Sequence, residues 1–114
     1  INAMRETYVG HSLEDDLIYL QADLAKKAGD FEEAAILYSL LYNSYGTGLL
    51  APKAYFELGV LYQENLQDEV KASEIFENFL KVYPGSIYTA EARKRYRILR
   101  GDINYVEGNE GILN

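Results

Sequence analysis

The 114-residue chain has no cysteine and no tryptophan, one histidine, one methionine and two prolines. Without cysteine there are no disulfides, no thiolate zinc ligands and no thiol nucleophile, although the compartment stays open, periplasm and cytoplasm alike. A single histidine leaves Ser-His-Asp and Cys-His systems almost nothing to work with. His11 and Asp15 stand four residues apart, a spacing a metal could bridge, but further ligands are missing and a capped helix start explains the pair. No apolar run approaches the roughly 20 residues of a membrane-spanning helix, and the chain as given opens without a charged-then-apolar leader. Asn2-Ala3 before Met4 reads as the remnant of a tag.

Positive charge is also scarce. Eleven basic residues face eighteen acidic ones, a net charge of -7 that repels phosphate backbones at long range and argues against nucleic acid as a partner. No phosphate cradle is present: Gly46-Thr47-Gly48 lacks the lysine and following hydroxyl and reads as a turn, so no cofactor is expected. Asp15, Asp16, Glu32, Glu33, Glu74 and Glu77 fall at helix starts or on polar faces, where the helix dipole and solvation account for them, and catalysis is not expected.

What the chain does have is apolar surface, 48% of its residues, enough for one compact core. Five segments show helical periodicity bounded by capping or breaking residues, and strand patterns are absent. The first spans about Ser12 to Ala28, opening on Ser12-x-x-Asp15 and stopping at Gly29. The second runs about Phe31 to Tyr45 from a cap at Asp30, the third near Pro52 to Asn65, the fourth about Asp68 to Tyr83, and the fifth about Ser86 to Arg100. Residues 1–11 are read as tag remnant and arm, 12–101 as one helical domain, and 102–114 as a flexible acidic tail. Arg100-Gly101-Asp102 spells an adhesion tripeptide, but glycine after a basic last turn is what a helix C-cap requires.

A shift of 38 residues pairs Ala34 with Ala72, Tyr38 with Phe76, Leu41 with Phe79, Tyr45 with Tyr83 and Ala54 with Ala92, which is an internal repeat. A small residue lets two antiparallel helices approach, and an aromatic four residues on fills the space beside it. In this pattern the chain resembles the tetratricopeptide repeat family. Ala22, Gly29-Asp30-Phe31, Ala34 and Tyr38 match in the first pair; Tyr55, Leu58-Gly59, Tyr62, Ala72, Phe76 and Pro84 match in the second. Gly46 replaces the closing proline of the first pair, Gln21 replaces an apolar residue, and one extra residue sits between Tyr62 and Ala72. Pro84-Gly85-Ser86-x-Tyr88-x-x-Glu91-Ala92 also resembles the longer-looped repeats of two bacterial envelope proteins, the Tol-Pal coordinating protein and the outer-membrane assembly lipoprotein.

The resemblance implies an all-α fold: two antiparallel helix pairs of tetratricopeptide type and a C-terminal capping helix, together a right-handed α-solenoid fragment. It implies an interaction module or assembly scaffold that takes a peptide or helix along its concave face. The positions carried over are Tyr19, Leu20 and Asp23 on the first helix, Phe56, Glu57, Val60 and Gln63 on the third, and Lys94 and Arg95 on the fifth, an apolar strip with a basic end. The family's clamp for carboxylate tails is not expected, because Tyr19, Asp23, Glu57 and Val60 stand where it needs lysine and asparagine. The alternatives are a structural subunit acting through self-association and a non-catalytic accessory domain of a larger enzyme or envelope complex.

Two charge and hydropathy features stand apart from the repeat. Residues 93–100 hold Arg93, Lys94, Arg95, Arg97 and Arg100, and on a helical wheel Tyr88, Ala92, Tyr96 and Leu99 oppose Arg93, Arg97 and Arg100, as suits the last helix of a stack. The first helix carries Ile18, Ala22 and Ala25 toward its neighbour and a second stripe, Leu13, Leu17, Leu20 and Leu24, spaced like a coiled-coil seam. That stripe predicts a cover: the segment Tyr8 to His11, which is too short to do it alone, further repeats, or the same stripe of a second molecule, and a homodimer is favoured over further repeats.

Overall fold

The computed structural model describes residues 12–101. The N-terminal arm with His11, the tail 102–114 and the side chains of Ser12 and Leu13 lie outside the described residues. Among the described residues five α-helices follow one another: α1 Ser12–Lys27, α2 Phe31–Ser44, α3 Ala51–Glu64, α4 Glu69–Val82 and α5 Thr89–Leu99. No strand occurs among the described residues, and none of their helices is long and apolar enough to cross a membrane.

Local chemistry sets the helix ends. After α1 the chain turns on Gly29 at φ +86°, while the Gly29 N–H donates to the Lys26 carbonyl (3.0 Å) and the Asp30 N–H to the Ala25 carbonyl (2.9 Å). This pair of bonds satisfies carbonyls that the helix end would otherwise orphan. Asp30 then caps α2, its carboxylate accepting from the Glu33 N–H at 3.3 Å, and Asp68 does the same for α4 through the Lys71 N–H at 3.1 Å. The turn into α4 holds the extra residue of the repeat, and there Gln67 adopts φ 59°, left-handed for a side chain with a Cβ.

The fifth helix begins at Thr89, three residues later than periodicity places it. Tyr83 leaves α4, Pro84 cannot continue it, and the Thr89 hydroxyl donates back to the carbonyls of Tyr83 (2.9 Å) and Pro84 (3.3 Å). Those bonds hold residues 84–88 in a turn and delay the helix start. At the other end Gly101, at φ +90°, donates its N–H to the Ile98 carbonyl (3.1 Å), the cap expected there in place of an adhesion motif.

Each helix packs on the next, α1 on α2, α2 on α3, α3 on α4 and α4 on α5. The core lies between them, and its centre is formed by four of the five pairs of the repeat: Ala34, Ala72, Tyr38, Phe76, Leu41, Phe79, Ala54 and Ala92 are all fully enclosed, while Tyr45 and Tyr83 are half-buried against it. Gly59 shows why one position must be small. A Cβ there would sit 2.7 Å from the Phe76 ring, so the glycine is what lets α4 close onto α3. On α5, Ala92 is buried, Tyr88, Tyr96 and Leu99 are half-buried against the core, and Arg93, Arg97 and Arg100 are exposed, the division expected of a terminal helix.

Candidate partner-binding face

The first helices of the pairs, α1 and α3, and the unpaired α5 bring the nominated residues together by cross-ties that sequence reasoning did not supply. Between α1 and α3, Lys26 Nζ donates to Glu57 Oε1 at 3.0 Å, and Lys53 Nζ lies 5.0 Å from the centre of the Tyr19 ring. Tyr19 in turn tilts against Tyr38 of α2, ring centres 5.8 Å apart. Asp23 pairs with Lys27 within α1 at 3.1 Å.

Between α3 and α5 the ties are aromatic and ionic. Phe56 stacks on Tyr88 at 5.1 Å and leans on Phe76 and Phe79 behind it. Arg95 donates to Gln63 Oε1 at 2.7 Å and pairs with Glu64 at 3.1 Å and Glu91 at 3.0 Å. Two carboxylates therefore meet Arg95 locally, and the basic end of the strip is less basic than its composition implies. Val60 and Lys94 are half-buried, and Leu20 is exposed at the edge of the row.

Burial gives this face its acid–base character. Desolvation, ahead of the neighbouring charges of Glu57 and Asp23, holds the Tyr38 hydroxyl far above the usual tyrosine range, and its oxygen is buried without a hydrogen-bond partner. Tyr19 is also raised, first by burial, with the Lys53 ammonium opposing the shift. Behind the row, Asn78 Nδ2 donates to the hydroxyls of both Tyr42 (3.1 Å) and Tyr55 (3.0 Å), whose rings stack at 3.8 Å. The Tyr83 hydroxyl donates to the Gly46 carbonyl at 2.8 Å, and burial pushes it up to about 12. These tyrosines are neutral fillers with polar tips, and no nucleophile is being activated among them.

Among the described residues there is no group of three or more His, Cys, Asp or Glu side chains able to hold a metal ion. One concavity escaped the sequence reading: an open groove of about 660 Å³ between α2 and α3, lined by Ala35, Ile36, Leu40, Tyr62 and Leu66 with Glu32 and Asp68 at its mouth. Ile36 and Leu40, four apart on a helix apolar nearly all round, were the available signal. Of the leucine stripe of α1, Leu17, Leu20 and Leu24 are exposed, whereas Ile18 and Ala22 are buried, and the side chain of Leu13 lies outside the described residues.

The architecture defines a helical-repeat protein of the α-solenoid class. Residues 53–86, from Lys53 in α3 to Ser86 beyond α4, match the tetratricopeptide repeat model, which identifies this stretch as a repeat of that kind. No curated protein and no solved structure matches it.

Proposed function

We propose that the row formed by α1, α3 and α5 is the concave binding face of a non-catalytic interaction module, taking a peptide or helix with apolar anchors. Tetratricopeptide repeats are in general interaction or scaffold modules, which supports a protein partner. The observation that carries the reading is the set of cross-ties, Lys26–Glu57, Phe56–Tyr88 and Gln63–Arg95, which hold the three helices side by side as one continuous surface. A surface fixed in this way loses little side-chain freedom when it binds. Half-buried Tyr19, Phe56 and Val60 offer aromatic and aliphatic contact, and Asp23 and Glu57 disfavour a terminal carboxylate as the bound group.

The test compares two surfaces of one protein. Affinity capture with the full chain should lose its partner by about tenfold or more when Val60→Glu and Lys94→Glu are combined, since a charge placed at an apolar anchor is left desolvated. Ile36→Glu, in the groove between α2 and α3, should leave capture intact. If only Ile36→Glu abolishes capture while both proteins stay folded by circular dichroism, the concave face is not the site.

A further inference from the structure

The N-terminal edge of the stack presents Leu17, Leu20 and Leu24 at 42%, 53% and 56% exposure, on a helix whose opposite side is in the core. The internal repeat shows what this edge is for. Ala22 of α1 and Gly59 of α3 hold equivalent places, so Leu17 corresponds to Ala54, Leu20 to Glu57 and Leu24 to Leu61. In α3 that face meets the preceding helix pair: Ala54 and Leu61 are 0% and 1% exposed, α3 packs on α2, and Glu57 bonds Lys26 of α1. The leucines of α1 therefore occupy a stacking face.

Its chemistry differs from that of the internal face. Where α3 buries Ala51, Ala54, Leu58 and Leu61 on that side, α1 has Glu14, which is itself buried at 3%, and then Leu17, Gln21 and Leu24, which are exposed. Two apolar places have become polar, one small residue has become large, and Leu20 replaces a glutamate. A helix of the α2 kind, shaped to sit close over Ala54, would meet a protruding leucine and an unpaired glutamine. A narrow stripe spaced by three and four matches another stripe of the same spacing.

We propose that a second copy of this chain covers α1, the two leucine stripes packing antiparallel across a two-fold axis. Charge selects the direction. Asp16 is exposed near one end of α1 and Lys27, which also pairs with Asp23 of its own helix, near the other, so an antiparallel pair brings Asp16 of one copy toward Lys27 of the second, whereas a parallel pair sets Asp16 against Asp16. The net charge of -7 opposes association at long range, but at physiological salt the screening length is about 8 Å, so the charges bordering the seam decide. A two-fold contact uses the same patch twice and closes on itself.

Sedimentation at micromolar concentration should show a dimer, and Leu17→Glu with Leu24→Glu should weaken it by about 100-fold or more while the helical signal is retained, because the new charges would be buried unpaired. The absence of cysteine permits an independent reading on a nearly unaltered surface. Leu20→Cys should form a disulfide-linked dimer on mild oxidation, and Ile36→Cys, exposed on α2, should not. A wild-type monomer throughout that range, a dimer indifferent to the double substitution, or equal cross-linking from both cysteines would overturn the proposal. Only the control position, Ile36, is shared with the concave-face test, and none of the positions expected to respond is, so either reading can fail alone.

Discussion

Single residues in this fold act chiefly by size. Gly59 lies in the middle of α3, where alanine would favour the helix by about 1 kcal/mol. Its added Cβ, however, would meet the Phe76 ring at 2.7 and 2.8 Å and the Ile75 Cγ2 at 3.2 Å. Phe76 is fully enclosed and its ring cannot swing away, and overpacking of this kind costs about 1–3 kcal/mol. The overpacking term should win. Gly59→Ala is expected to lower stability by up to about 2 kcal/mol in urea unfolding, and a gain in stability would show that α4 shifts away freely. Ala22, at the equivalent place in α1, already carries that methyl group, so the demand belongs to the α3–α4 contact and its bulky partner.

At the scale of elements, the ends of the helices are held mostly by local bonds and their faces by contacts distant in sequence. Asp68 caps α4 directly after Gln67, whose left-handed backbone is unfavourable for a residue with a Cβ, so the cap offsets strain in its own turn. Asp68→Ala should cost about 1 kcal/mol, and Asp68→Asn, which keeps an acceptor, only a fraction of that. Equal losses from both would mean that the carboxylate charge at the helix N-terminus, and not the hydrogen bond, holds the turn. The five helices could be read from capping and periodicity to within a residue or so, apart from the start of α5. That start depends on the Thr89 hydroxyl reaching back to Tyr83 and Pro84, a bond that periodicity does not report.

For the molecule as a whole, tyrosines buried in the core or packed against it make the fold sensitive to alkali. Tyr19, Tyr38, Tyr55 and Tyr83 are all raised, in each case first by burial. A tyrosine whose folded pKa lies above its unfolded value stabilises the fold fully below about pH 10, and that contribution is lost as pH rises through the folded value. Thermal stability should therefore be insensitive to tyrosine ionisation up to about pH 10 and then fall, with Tyr83 titrating near about 12. Melting temperature and tyrosinate absorbance, followed together, should change in step. Complete tyrosine ionisation before any loss of structure would contradict the burial on which this rests.

The sequence by itself determined the helices, their order, the repeat of small and aromatic residues and the polar face of α5, because each of these is written in spacings of three, four or 38 residues along one chain. It also singled out Leu17, Leu20 and Leu24, since a second apolar stripe on one helix is visible on a helical wheel. Only the tertiary structure decided how the proposed binding row is held. Lys26 finds Glu57, Lys53 finds the Tyr19 ring, and Arg95 finds Gln63 and Glu64, each across 31 or more residues, a separation for which no local period exists. The same holds for the groove between α2 and α3, whose lining residues Ala35, Leu40 and Tyr62 come from both helices. Side-chain periodicity places a residue on a face, but what that face meets depends on how rigid helices stack, and stacking is set by residues far apart in the chain.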